Sequence, residues 1–123
     1  MNIPTLTIAS GNQKKVSEIS EMLDVLSLKV EKQPDDLNVE ETGATYFDNA
    51  LLKAKAASLA TKTWTLADDS GLEVDFLDGR PGIYSARYAK TNVEKIKKLI
   101  NELSDTPYRS AKFISCMVLC DPE

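Results

Sequence analysis

Val16, Ile19, Leu23 and Leu26 recur at i, i+3, i+7 and i+10, which predicts an amphipathic helix near 12–26. Phe47, Ala50, Leu51, Ala54 and Ala57 give a second, alanine-rich helix near 45–61, and Val93, Ile96, Ile100 and Leu103 a third near 92–104. Thr45 with Asp48 and Thr91 with Glu94 stand three apart at the starts of the last two, the spacing of a capping box. Between these helices lie runs with the character of strands. Leu6-Thr7-Ile8-Ala9 is short and apolar, and Leu28 to Lys32 alternates. Strands are therefore expected near 5–9, 28–33, 64–67, 72–77 and 110–120. The last of these is apolar on both faces from Phe113 to Cys120, the mark of a strand buried inside a sheet. Helices alternating with strands give an α/β fold, and 123 residues suffice for one domain, 1–123.

The most pointed stretch is Ala67-Asp68-Asp69-Ser70-Gly71-Leu72, read as a tight turn between an incoming strand and an outgoing one. Adjacent carboxylates repel, so Asp68-Asp69 needs a cation, a helix N-terminus or solvent to relieve it. Upstream, Ser10-Gly11-Asn12 breaks the first strand, and Lys14 and Lys15 open the first helix. Cations there oppose the helix dipole, but a glycine turn, a helix N-terminus and a lysine together form an anion cradle. Solvated surface lysines are the competing reading. Asn49 and Lys53 are i, i+4 neighbours able to reach one ligand, with a solvated polar stripe as the alternative. Arg87 stands between Tyr84 and Tyr88, placed to hold phosphate, to stack on a base, or to pack structurally in a loop.

Composition narrows the chemistry. The chain has no histidine, which removes Ser-His-Asp and Cys-His catalysis and leaves carboxylates, lysines and metals. Its two cysteines, Cys116 and Cys120, share one apolar run and read as reduced core residues. A net charge of −4 argues against bulk nucleic-acid binding. No apolar run approaches the ~20 residues that span a bilayer. The N-terminus lacks a signal-peptide pattern, so a cytoplasmic address is expected.

Taken in series the motifs become specific. Ser10-Gly11-Asn12-x-x-Lys15, Glu41-Thr42-Gly43, Asp48-Asn49-Ala50-x-x-Lys53-Ala54, Ala67 to Leu72, and Pro81-Gly82-Ile83-Tyr84-Ser85-Ala86-Arg87-Tyr88 occur in order. This series resembles the inosine triphosphate pyrophosphatase family across essentially the whole chain. The resemblance implies a mixed central β-sheet flanked by helices and a cytoplasmic, Mg2+-dependent, usually homodimeric enzyme. Such enzymes hydrolyse non-canonical purine nucleoside triphosphates (ITP, dITP, XTP) to the monophosphate and pyrophosphate. It implies catalytic roles for Asp69, Asp68 and Lys53, and metal binding by Glu41 and Asp69. Substrate contacts fall to Ser10, Gly11, Asn12, Lys15, Asn49, Ser70 and Arg87. Neither a nucleic acid nor a membrane is implied as a partner. Family members continue past this C-terminus through segments that clasp the base, so the chain reads as C-terminally shortened. A Maf-like pyrophosphatase and a non-catalytic or partner-dependent nucleotide-binding module stay open as alternatives.

Overall fold

The computed structural model describes residues 3–123. Four strands, β1 (Thr5–Ile8), β2 (Lys29–Lys32), β3 (Trp64–Val74) and β4 (Ala111–Cys120), form one sheet in the order β2-β1-β3-β4. β1 pairs in parallel with both β2 and β3. β4 runs the other way: Asp75 N, just past the end of β3, donates to Ser110 O, just before β4. The sheet is thus mixed, and α1 (Gln13–Met22), α2 (Tyr46–Thr61) and α3 (Asn92–Leu103) flank it. Residues divide into two compact units. One comprises the chain up to Asp68 together with Met117–Glu123, and the other is Asp69–Cys116.

In the first unit the central strands are covered on both faces by strand alternation. Leu6 and Ile8 of β1 pack with Val16 and Ile19 of α1, joined by Leu23, Leu28, Val30 and Leu66. On the opposite face Ala9 and Ala67 meet Ala54 and Ala57 of α2, with Leu37, Val118 and Cys120 around them. Small residues on α2 let that helix lie close to the sheet. Burying side chains such as Ile8 and Val16 stabilises by about 1.5–3 kcal/mol each. In the second unit Val74, Leu77 and Leu103 form a smaller core with Leu72 and Leu99.

Several expectations change. The Asp68-Asp69-Ser70-Gly71 stretch is no turn: β3 runs unbroken from Trp64 to Val74, and the chain bends only at the short 3-10 helix Asp75–Leu77. α1 stops at Met22, four residues early, and Leu26 is exposed beside an apolar cavity of about 440 Å³. The chain there turns through hydrogen bonds from Leu26 N to Leu23 O and from Leu28 N to Leu26 O, which take it directly into β2. β4 lies at the sheet's edge rather than inside it, with alternate residues open; Phe113 is 84% exposed. On α3 only Leu103 is buried, while Val93, Ile96 and Ile100 are exposed. Phe47 of α2 is likewise exposed, because the buried side of that helix carries Asn49, Ala50, Ala54, Ala57 and Ser58.

Candidate functional site

The first helix begins on its own side-chain cap. Asn12 is extended, and its Oδ1 accepts from Lys14 N at 3.0 Å and Lys15 N at 3.5 Å. Ser10 Oγ accepts from Asn12 N at 3.1 Å, which tightens the loop between β1 and α1. Two amides expected to face an anion are therefore already occupied, and the available positive charge is the ammonium of Lys15. That group sits 2.7 Å from Asp68 Oδ2. A lysine unfavourable at a helix N-terminus is thus compensated by a carboxylate from β3. Gly11 is exposed, and a Cβ there would meet only Gln33 Nε2 at 3.9 Å, so packing alone does not demand glycine.

A second pair lies across α2. Lys53 Nζ is 2.9 Å from Glu41 Oε1 and also donates to the Asp68 backbone carbonyl. Both pairs are half-buried. Lys15, Asp68, Lys53 and Glu41 therefore form a continuous chain of alternating charge through one residue of β3. This relieves the charge at Asp68 that the sequence marks as costly. Asn49, one helical turn before Lys53, does reach a common target with it, but that target is the Glu41–Gly43 segment. Asn49 is fully buried, and its Oδ1 accepts from Gly43 N at 2.7 Å.

Asp69 follows Asp68 in an extended strand, so its side chain leaves by the opposite face, the one shared with Thr65 and Ala67. It is only 7% exposed. Asp69, Ser70 and Arg87 belong to the second unit. There Ser70 is exposed and lines a cavity of about 540 Å³ with Leu72, Pro81 and Tyr88. Arg87 is exposed with its guanidinium over the Tyr84 ring at 5.4 Å. Ser85, to which the sequence gives no role, accepts from Leu72 N and donates to Gly82 O, fastening that segment to β3. Burial raises the Tyr88 phenol above its ordinary value; Glu102 beside it adds to the effect and Arg80 opposes it.

The donor set suits a hard cation. A carboxylate oxygen of Glu41 and the carbonyl oxygen of Asp68 already hold one cation, the Lys53 ammonium. Among the described residues no three His, Cys, Asp or Glu side chains gather into a metal-holding group. An ion bound by one or two carboxylates with water and phosphate oxygens completing its shell fits such a set, and Mg2+ binds in that manner.

Comparison with known proteins gives the family. The chain is 52% identical over 118 residues to a dITP/XTP pyrophosphatase of Synechococcus sp. (strain CC9311), covering 96% of this chain and 57% of that protein. It is 44% identical over 121 residues to the dITP/XTP pyrophosphatase of Synechocystis sp., covering 98% and 62% respectively. Among solved structures, a HAM1 protein from Coxiella burnetii superposes with a TM-score of 0.88 at 36% identity, over 97% of this chain and 64% of that one. The Staphylococcus aureus Ham1 protein gives 0.83 at 41% identity, over 96% and 64%. The chain thus spans less than two thirds of the length of these relatives. The model of the Ham1 family matches residues 6–123, nearly everything from β1 onward, and the chain belongs to that family.

Proposed function

We propose that this chain hydrolyses non-canonical purine nucleoside triphosphates, the class of ITP, dITP and XTP, with Mg2+ as cofactor. The observation that carries this reading is the charge chain Lys15–Asp68–Lys53–Glu41. Lys15, in the first turn of α1, and Lys53, on α2, are each held by a half-buried carboxylate, Asp68 of β3 and Glu41 of the segment before α2. A triphosphate offers each ammonium a stronger anionic partner and sets the two carboxylates free. The relatives named as dITP/XTP pyrophosphatases support the substrate class.

In this reading Lys15 and Lys53 bind phosphate oxygens, and the Ser10-Gly11-Asn12 loop brackets them. Glu41 and Asp69 are the residues that would hold Mg2+, which when bound neutralises phosphate charge and orients the reacting oxygens. One water is consumed, the anhydride between the α- and β-phosphates breaks, and monophosphate and pyrophosphate leave. Asp69 takes the proton from the attacking water, with Asp68 holding Lys15 in place until substrate arrives. Ser70 and Arg87 are the remaining residues proposed to contact substrate. Phosphoryl chemistry of this kind relies on positioning and charge more than on covalent intermediates. The same reading carries a homodimer in the cytoplasm with no nucleic-acid or membrane partner; no helix among the described residues is long and apolar enough to cross a membrane.

Pyrophosphate release from dITP, ITP and dATP, measured with and without Mg2+, tests the proposal. Mg2+-dependent release favouring dITP and ITP is expected. Metal-dependent binding without release would instead favour the nucleotide-binding module. Neither binding nor release would overturn both.

A further inference from the structure

The geometry points to Asn49 as the residue that positions Glu41 for cation binding, acting through the backbone of Gly43. This deepens, and in its consequence for binding rests on, the proposed nucleotide site.

α2 grips the segment before it. Asn49 lies in the first turn of α2, and its backbone N donates to Thr45 O. The residue is 0% exposed, and its Oδ1 takes the Gly43 N–H at 2.7 Å, short for a bond of this kind. A Cβ on Gly43 would stand 2.5 Å from Asp48 Cβ, 2.7 Å from Asn49 Oδ1 and 3.1 Å from Asn49 N. The Gly43 backbone is therefore pressed directly onto the helix, where only glycine fits. One turn further along the same helix, Lys53 holds the Glu41 carboxylate. The helix thus attaches the loop at two points, residue 49 to residue 43 and residue 53 to residue 41.

The two attachments have different stiffness. Glu41 and Lys53 are long side chains, and an ion pair between such groups has little geometric hold unless one backbone is fixed. The buried Asn49–Gly43 bond supplies that fixing two residues away. Asn49 therefore needs no contact with nucleotide to matter: it sets where the Glu41 carboxylate lies before ligand arrives, and a preorganised group binds better than one that must be ordered on binding. This assigns Asn49 a positioning role in place of the direct substrate contact that its spacing from Lys53 suggests.

The test uses Asn49→Leu, Asn49→Asp, Gly43→Ala and the pair Asn49→Leu with Gly43→Ala. Asp keeps an Oδ acceptor for the Gly43 N–H; Leu keeps the bulk and removes it. Two readouts need no nucleotide: exchange of the Gly43 amide, and the rate at which Lys53 is acylated. Both should rise about tenfold in Asn49→Leu, the scale of one lost hydrogen bond, while helicity by circular dichroism is kept. A third readout is the Kd for ITP with Mg2+, expected to rise about tenfold in Asn49→Leu and Gly43→Ala. It should rise less in Asn49→Asp, which keeps the acceptor but adds a buried charge, than in Asn49→Leu, and the double variant should be no worse than either single one. Asn49→Asp impaired as severely as Asn49→Leu, or additive losses in the double variant, would overturn the assignment. Should Asn49→Leu fail to fold, Gly43→Ala and Asn49→Asp decide it by the same measurements. If the parent binds no ITP, the proposed function fails on its own, while amide exchange and acylation still decide whether Asn49 fixes Glu41.

Discussion

Asp68 and Asp69 are chemically identical neighbours that the fold treats differently. Asp68 is half-buried, with Lys15 on its carboxylate and Lys53 on its carbonyl, whereas Asp69 is buried on the other face of the strand. Only the second is proposed to accept a proton. Asp69→Asn keeps the size and removes the charge, so turnover should fall about 100-fold or more, as when a general base is lost. Thermal unfolding should show a fold no less stable than the parent; a collapsed fold would mark Asp69 as structural. Tyr88 gives a separate residue-level expectation. Its folded pKa is raised, so the unfolded chain loses that proton first. Its contribution is then complete below about pH 10 and lost as pH rises through the folded value. Tyr88→Phe should flatten the alkaline limb of stability in denaturation curves taken at a series of pH values.

At the scale of elements, the readable signals were local ones. Thr45 and Thr91 cap α2 and α3 as their spacing from Asp48 and Glu94 predicts, each hydroxyl accepting from the amide three residues on. Thr91→Ala should cost about 1 kcal/mol, read from the shift in a denaturant midpoint, because the cap bond is removed without a replacement. Signals that depend on distant partners misled. Asp68 to Gly71 has the composition of a turn, yet it stays extended, since sheet pairing overrides local preference, Lys15 of α1 neutralises the Asp68 carboxylate and Lys53 of α2 donates to its backbone carbonyl. Asn12 was legible as part of a motif, but its capping role is not distinguishable by sequence from a phosphate contact. β4 reads as an internal strand because its apolar residues fill both rows. Its place beside β3 alone is set by sheet order, which residue pattern does not encode.

Across the whole molecule, the motif series carried more than any single motif. Four of the five short segments, each of ordinary composition, supply the members of the charge chain, and the same series matches the Ham1 family from residue 6 onward. Membership therefore follows from the chain itself, whereas activity does not transfer automatically, because the chain spans 57% and 62% of two dITP/XTP pyrophosphatase relatives. In the proposed function Lys15 and Lys53 exchange their carboxylate partners for a triphosphate in the presence of Mg2+. Isothermal titration of ITP into the 123-residue chain, with and without Mg2+, and into Lys15→Ala, measures this directly. Tight binding that requires Mg2+, with Kd raised tenfold or more in Lys15→Ala, is the expected result, since a charge-assisted bond of about 1.5–3 kcal/mol is lost. Equal affinity in the parent and in Lys15→Ala, or binding indifferent to Mg2+, would contradict it.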